Sequence, residues 1–352
     1  AIVPIGISLM RELLSRERAT MGTALMSATL GIGSALGLPL SGILVSIGGL
    51  AVLFWFSAIV GIGFFVLIAV FIPASTARTG GRFDLVGAVL LTVALTAALL
   101  VISKGLVWGW ASPLVLTLVG VGVVALGIWI PQQLTNRNPV VDLRTSFRRQ
   151  VLQVNIASFF TSVGMFANHL LTMHEARAPA GTGTGLALPA ISAGLILLPS
   201  ALVLVVLSPI VGRMLGRIGG RLPLTIGAAT MGVGFLFRLV VHEGVMAAAV
   251  GAVIVGIGTA FAFAAVPTLI MDAVPISEMA AANGVNGLIR SMSGAVTSAA
   301  FALLVVAAPW PEDPQFISAD GMRTAFIVVG ICGGIGALLA ATLPRSVPER
   351  SS

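Results

Sequence analysis

The chain has 352 residues, of which 57% are hydrophobic and only 9% are charged. A soluble domain carries about 25% charged residues, so this chain lacks the polar shell that a water-exposed surface requires. Its formal net charge is +7. In so apolar a chain this excess is better explained by the Lys and Arg of cytoplasmic loops than by nucleic acid. A soluble fold and a nucleic-acid partner are therefore disfavoured.

Apolar segments of about 20 residues recur along nearly the whole chain, which is typical of helices that span a lipid bilayer. A membrane β-barrel would alternate apolar and polar residues, and segments such as 195–210 do not alternate. The sequence therefore predicts an all-α polytopic membrane protein. The ten full spans that we predict are 22–47, 50–73, 84–104, 112–131, 151–172, 188–211, 222–241, 245–270, 281–307 and 323–343, after a partial span at 1–10.

The distribution of basic residues predicts the orientation of these spans. If the loop at 11–18 is cytoplasmic and each span crosses once, fifteen of the 19 Lys and Arg residues fall on the inner side, Arg290 among them. Lys104, Arg177, Arg238 and Arg323 fall on the outer side. This asymmetry follows the positive-inside rule. It predicts a multi-pass protein of the inner cell membrane with a cytoplasmic C-terminus.

Residues that would carry catalysis or bind a cofactor are absent from the sequence pattern. No Walker-type Gly-Lys-Ser/Thr occurs, so we expect no ATP binding, and no cluster typical of an enzyme lies at a membrane boundary. The glycine-rich segment 181–185 lacks lysine and is interpreted as a flexible connector. His169, His174 and Glu175 lie near one helix end, where interfacial placement explains them as well as a metal site would. We predict no metal and no cofactor.

One predicted helix carries a polar and aromatic stripe. Its residues follow helical spacing and share one face: Asn155, Phe159, Ser162, Phe166 and His169. The stripe is interpreted either as a wall of a substrate cavity or as a surface for helix–helix packing, and the sequence does not decide between them. Phe261 and Phe263, near Pro267, form a second candidate wall, for which ordinary packing is favoured.

The first full span is rich in glycine. Gly33 and Gly37 form a small-x-x-x-small pair, and Pro39 and Gly42 follow. Such a pair permits close helix contact, and proline permits a kink. The segment is interpreted either as simple packing or as a hinge between two helical bundles.

Three segments resemble motifs of the major facilitator superfamily. Segment 31–42 resembles the antiporter motif in the fifth helix of its drug exporters, although Leu38 separates Gly37 from Pro39 and Ser41 replaces a glycine. Segment 283–294, with Asn283, Asn286 and Arg290, is similar to the penultimate helix of the fourteen-span drug:proton antiporters. The inner loop 212–221 resembles the superfamily's loop signature in its second-half copy, with Gly216 in place of the acid; it contributes Gly212, Arg213, Arg217, Gly220 and Arg221.

The resemblance implies a major facilitator fold, in which two helical bundles surround a central cavity and export amphipathic compounds in exchange for protons by alternating access. It implies that 1–73 is the rest of the N-terminal bundle (half of span four, then spans five and six) and that 84–131 holds two extra central spans. The cytoplasmic loop 132–150, the six-helix bundle 151–343 and the tail 344–352 would follow. The chain would then begin inside span four, and the coupling acids would lie outside the sequence given.

Within this framework the stripe would line the cavity, Gly33, Gly37, Pro39 and Gly42 would form the hinge, and the 212–221 segment would be a gating loop whose arginines meet helix C-termini or lipid phosphates. The expected partners are the lipid bilayer, a small-molecule substrate and protons, with the oligomeric state open. Two alternatives remain. A permease subunit that depends on a separate ATPase would show a docking helix in an inner loop, and a membrane scaffold would not transport at all.

Overall fold

The computed structural model describes residues 16–71, 84–136, 139–141, 143–241, 244–274 and 278–344, and for most of 16–42 it describes only the backbone. This part of the chain is almost entirely helical, and nine of its segments are long and apolar enough to cross a membrane. The predicted all-α membrane architecture is confirmed. The helices are α1 (Arg16–Phe71), α2 (Leu85–Trp108), α3 (Pro113–Thr135), α4 (Leu143–Ser146), α5 (Arg149–Arg177), α6 (Ala190–Ile218), α7 (Arg221–Val240), α8 (Gly244–Ala273), α9 (Met279–Ala307) and α10 (Ala319–Ala341).

Helix α1 contains the first two predicted full spans. Its backbone leaves the helical region at Gly48 and Gly49, and Gly49 has φ +69° and ψ −165°. An L side chain rarely adopts this conformation, so glycine is the residue that the break requires. The break falls where the sequence predicts the boundary between the spans 22–47 and 50–73. The predicted partial span at 1–10 lies outside the described residues.

Helices α5 to α10 pack into one group through small residues. α7 lies against both α8 and α10, and α8 also contacts α5 and α6. A Cβ atom added at Gly227 of α7 would lie 2.7 Å from the carbonyl oxygen of Gly258 in α8, and one added at Gly333 of α10 would lie 2.6 Å from the backbone nitrogen of Gly232. The backbones therefore touch directly, which is how helices gain dispersion contacts inside a bilayer.

A buried ion pair joins α5 to α7 inside this group. Arg238 contacts Glu175, and the two side chains are only 1% and 2% exposed. Arg238 also donates to the Thr172 hydroxyl at 2.8 Å, and its guanidinium lies 4.7 Å from the ring centroid of Phe326 in α10. The sequence places Arg238 and Glu175 near outer span ends, but it does not predict that they pair. We call Arg238, Glu175, Thr172 and Phe326 the outer charge cluster.

Helices α2 and α3 form a hairpin held by a carboxylate. Asp84, before α2, accepts hydrogen bonds from the side-chain amide of Gln132 at 2.8 Å, that of Gln133 at 2.6 Å and the Gly87 N–H at 2.9 Å. Burial raises the pKa of Asp84, but the hydrogen bonds from Gln132, Gly87, Gln133 and Asn136 outweigh it, so the pKa lies below the ordinary 3.8. The carboxylate is therefore charged at neutral pH. We call Asp84, Gln132 and Gln133 the Asp84 lock.

The hairpin reaches the six-helix group through the segment predicted as the loop 132–150. Val141 and Leu143 are buried there with Trp129, and Val285 of α9 packs against them. The Val141 N–H donates to the side-chain oxygen of Gln133 at 3.0 Å, which ties this segment to the Asp84 lock. Part of the predicted loop is thus a packed connection that includes α4.

The connector between α5 and α6 is also packed. The segment 181–185, interpreted from its glycines as flexible, begins with a 3-10 turn at Ala180–Thr182. The Thr182 hydroxyl accepts from the Gly185 N–H at 2.9 Å, and Leu186 donates back to the Glu175 carbonyl at 3.0 Å. The N–H groups of Gly185 and Leu186 are satisfied locally, so the segment is a connector with hydrogen bonds of its own.

Candidate functional site

The predicted stripe lies along α5, on a side of the helix that contacts α9. Asn155 is 3% exposed and Ser162 is 1% exposed, whereas Phe159, Phe166 and His169 are partly buried. The stripe therefore has a buried polar component and a more accessible aromatic component.

Asn155 bonds to the penultimate-helix motif. The Asn286 side chain of α9 donates a hydrogen bond to the Asn155 side-chain oxygen at 3.0 Å, and both residues are buried. In a bilayer such a pair satisfies two polar groups at once and sets the register of the two helices. The packing interpretation of Asn155 is thus supported, and the cavity interpretation of the stripe rests on its rings. Asn283 of the same motif donates to the Met279 carbonyl of its own helix at 3.0 Å.

The aromatic residues of the stripe have distinct neighbours. A Cβ atom added at Gly294 of α9 would lie 3.0 Å from the Phe166 ring, so this ring fills the space that the glycine leaves. Phe159 meets Phe160 edge to face with ring centroids 5.6 Å apart. His169 has a ring nitrogen 2.9 Å from the Met165 carbonyl oxygen. The ring of Phe166 therefore belongs to the α5–α9 contact.

The second candidate wall is divided between two surfaces. The Cβ of Phe261 would lie 2.9 Å from a Cβ added at Gly227 of α7, so this residue packs between α7 and α8. Phe263 faces α9, where the guanidinium carbon of Arg290 lies 3.7 Å from its ring centroid. Residues two apart on a helix point to different sides, and only Phe263 meets a charged group.

Arg290 is a charged residue inside a membrane-spanning segment. The sequence places it within the predicted span 281–307 and counts it toward the cytoplasmic side, and in the structure it lies inside the segment Ala281–Ala307 of α9, roughly 13 Å along the helix axis from the nearer end. Its long side chain lies over the Phe263 ring instead of extending to the nearer helix end. The sequence indicates that Asn286 and Arg290 share a helix face, since they are four residues apart.

The predicted hinge and gating residues lie at the edges of the six-helix group. Gly33 and Gly37 are exposed on α1, where a Cβ added at either would meet no described atom within 4 Å. Pro39 and Gly42 are in α1, but their surroundings lie outside what the structure describes.

The gating segment runs from the end of α6 to the start of α7. The Arg221 guanidinium donates to the Ala341 carbonyl at the C-terminal end of α10, which confirms for this arginine the expected contact with a helix C-terminus. Arg213 and Arg217 instead flank an open groove on α6. Gly212 lies beside Arg213 in α6, and Gly220 precedes α7, where an added Cβ would meet the Leu269 side chain at 2.6 Å.

A metal site at the outer histidines gains no support from the geometry. Among the described residues, no group of three His, Cys, Asp or Glu could hold an ion. His174 instead accepts a hydrogen bond from the Ile317 N–H at 3.0 Å and packs against the rings of Phe301 and Phe316. Its role is to hold the segment between α9 and α10 against the end of α5.

Comparison with known proteins identifies the family. The sequence profile of the Major Facilitator Superfamily matches residues 1–298 and 155–352. The chain is 27% identical over 287 residues to the multidrug resistance protein Stp of Mycobacterium tuberculosis, covering 80% of this chain and 51% of Stp. It is 25% identical to the lincomycin resistance protein LmrB of Listeria monocytogenes, covering 73% and 53% of the two chains.

A third relative is the multidrug export protein EmrB of Escherichia coli, which is 23% identical over 300 residues, covering 84% of this chain and 57% of EmrB. The chain thus spans about half the length of these curated relatives. Together, the membrane-spanning helices, the motif segments and the profile match over the whole chain show that it belongs to the major facilitator superfamily.

Proposed function

We propose that the protein is a secondary transporter of the inner cell membrane that exports amphipathic small molecules in exchange for protons, without binding ATP or acting as an enzyme. The observation that carries the proposal is the face formed by α5, α8 and α9. Here an amide pair, aromatic rings and a guanidinium meet within membrane-spanning helices. Polar groups are costly in a bilayer and mark substrate pathways. Two of the relatives are named for resistance to drugs or lincomycin and one for multidrug export, which supports the same cargo class.

Residues 151–343 would form one bundle of the transporter, and residues 1–73 would belong to the other. The bundles would rock around the α5–α8–α9 face, with Gly33, Gly37, Pro39 and Gly42 at the hinge and Arg213, Arg217 and Arg221 in the cytoplasmic gating loop. Residues 84–131 are the two extra central spans of a fourteen-span transporter, and the tail 344–352 is cytoplasmic. The contact of Arg221 with α10 supports a closing role for this loop.

The test is gradient-driven transport by the protein produced from its complete reading frame, in everted membrane vesicles. We expect an imposed pH gradient to drive uptake of at least one member of a panel of cationic, neutral and anionic amphipathic dyes. Uptake should collapse with a protonophore and survive the removal of ATP while the gradient is maintained. Uptake that requires ATP would support a permease subunit instead, and the absence of any gradient-driven uptake would overturn the proposal.

A variant pair links the transport to the site. Replacing Asn155 by Ala leaves Asn286 without its partner, so we expect transport to fall several-fold through loss of the α5–α9 register. Ser291→Ala is the matched control, since Ser291 is an exposed residue of α9 whose hydroxyl bonds only to its own helix at Gly287. Equal transport by the two variants would remove this face from the mechanism.

A further inference from the structure

We infer that the Arg290 guanidinium, stacked on Phe263, is an anion-binding subsite that takes the carboxylate or a similar oxyanion of an amphipathic cargo. The inference rests on the proposed transport function and adds the charge of the cargo to it. The family resemblance assigns no role to this arginine.

The first argument is the position of the charge. Arg290 lies inside the span Ala281–Ala307, whereas the other described arginines lie closer to the ends of their helices. A guanidinium at such depth is expensive unless it serves a function or is paired. We therefore expect an anionic or strongly polar group to bind this guanidinium.

The second argument is the lack of such a partner within the described part of the chain. Arg290 has no described carboxylate within salt-bridge distance, and none of its N–H groups has a described acceptor. The contrast is Arg238, which has Glu175 and Thr172. Arg290 is only partly buried, so its N–H groups are open to the space beside α8 and α9.

The third argument is the geometry of the stack. A ring centroid 3.7 Å from the guanidinium carbon occupies one face of the planar group. The N–H donors lie in the plane of the guanidinium. The contact with the ring therefore fixes their direction and leaves them able to donate hydrogen bonds. A planar fork held in this way matches the two oxygens of a carboxylate, which Arg binds in bidentate fashion.

The surroundings fit an amphipathic molecule. Asn286 lies one helical turn before Arg290, on the same face of α9, and bonds to Asn155. The Phe263 ring provides an apolar surface in contact with the cation. A cargo with an oxyanion at one end and an aromatic body would satisfy both the charge and the apolar surface.

The experiment compares two probes of nearly the same shape, one with a carboxylate and one with a neutral amide. Binding of 2-naphthoate and of 2-naphthamide is measured by calorimetry with the full-length protein in lipid nanodiscs. We expect the wild type to bind the acid about tenfold more tightly than the amide, as a charge-assisted bidentate contact implies. A wild type that binds the amide as tightly as the acid would overturn the inference without any variant.

Variants then assign the preference to Arg290. Arg290→Gln should weaken binding of the acid about tenfold and leave the amide within twofold, and Arg290→Lys should weaken the acid several-fold because the fork is lost while the charge remains. Arg323→Gln is the control, since Arg323 is 55% exposed and pairs only with the 92% exposed Asp320. Equal losses of acid and amide in a folded Arg290→Gln protein would show that Arg290 serves the fold or a carboxylate of the protein itself, and would overturn the inference.

Binding and transport are read separately. If the acid preference is absent while the vesicles show gradient-driven uptake, the anion subsite is overturned and the transporter proposal stands. If the acid preference depends on Arg290 but no dye is transported, the subsite stands as a binding site and the transport proposal is overturned.

Discussion

Helices α2 and α5 invert the relation between hydrophobicity and burial that soluble proteins follow. α2 has a mean hydropathy of 2.8 and only 17% of its most apolar stretch is buried, whereas α5 has a mean hydropathy of 1.2 and 56% of it is buried. In a bilayer apolar side chains gain little from leaving the lipid, so small and polar residues determine which surfaces pack. The comparison teaches that the hydropathy of a helix does not predict its burial here, since α8 has a mean hydropathy of 2.2 and is buried to the same 56% as α5.

The largest expected effect comes from breaking the outer charge cluster around α5. Arg238→Met leaves Glu175 buried without its partner, and we expect a loss of about 3–5 kcal/mol in the free energy of unfolding. The measurement is detergent-induced or thermal unfolding of the purified protein. The double variant Glu175→Gln with Arg238→Met should lose less free energy of unfolding than the two single variants lose together. Additive losses would show that the pair is not coupled.

A second test concerns the backbone contact between α7 and α8. A methyl group at Gly258 would collide with the Gly227 carbonyl, so Gly258→Ala should force the helices apart and cost about 1–3 kcal/mol. Gly334→Ala on α10 is the control, since a Cβ there meets no described atom within 4 Å. Thermal melting of the two variants side by side distinguishes packing from a general effect of removing glycine. Equal melting temperatures would contradict the packing argument.

A third test concerns the Asp84 lock, which holds α2 to α3. Asp84→Ala removes the acceptor of three hydrogen bonds, so we expect a cost of about 1–3 kcal/mol concentrated in the hairpin. Hydrogen exchange should increase in α2 and α3 and stay unchanged in α7 and α8. Exchange that rises equally in all four helices would show that the lock supports the whole protein.

The same lock predicts a pH dependence with a defined sign. Since the pKa of Asp84 in the folded protein lies below its ordinary 3.8, the stabilisation is fully present above that value and is lost as the pH falls through the lowered pKa. Hairpin exchange should therefore be flat with respect to this group from neutral pH down to about pH 4. If hairpin exchange already increased near pH 6, and Asp84→Asn abolished that increase, the lowered pKa of Asp84 would be contradicted.

The smallest effect is expected at the exposed pair of α10. Arg323 and Asp320 are 3.5 Å apart, but both are exposed, so solvent screens their attraction. Arg323→Gln should leave the melting temperature of the protein essentially unchanged. A loss of stability comparable to that of Arg238→Met would show that solvent exposure does not explain the difference between the two ion pairs.

The sequence predicts the helices well because span length and hydropathy are local properties. The break at Gly48–Gly49 and the long helices α2, α3 and α5 to α10 lie near their predicted positions, whereas the short helix α4 falls in the segment predicted as a loop. The burial of Val141 and Leu143 is not predicted, since a short basic segment has no periodic pattern that distinguishes a loop from a buried connection.

The candidate site was predicted only in part. The stripe on α5 follows from helical spacing, but the bond between Asn155 and Asn286 joins residues 131 positions apart, and no local pattern reveals it. For the same reason the contact of Arg290 with Phe263 is not predicted, because it depends on how α8 and α9 approach each other. The roles of these residues in transport remain predictions.

The way the α2–α3 hairpin is attached has a practical consequence for imaging. The buried cluster of Trp129, Val141 and Leu143 lies near its Asp84 end, while the opposite turn begins with Gly109, which is exposed and has φ +84°. A rigid protein inserted at that turn would project from the membrane surface without entering the packed helices. The hairpin therefore offers a site at which the protein can be enlarged and aligned for electron microscopy.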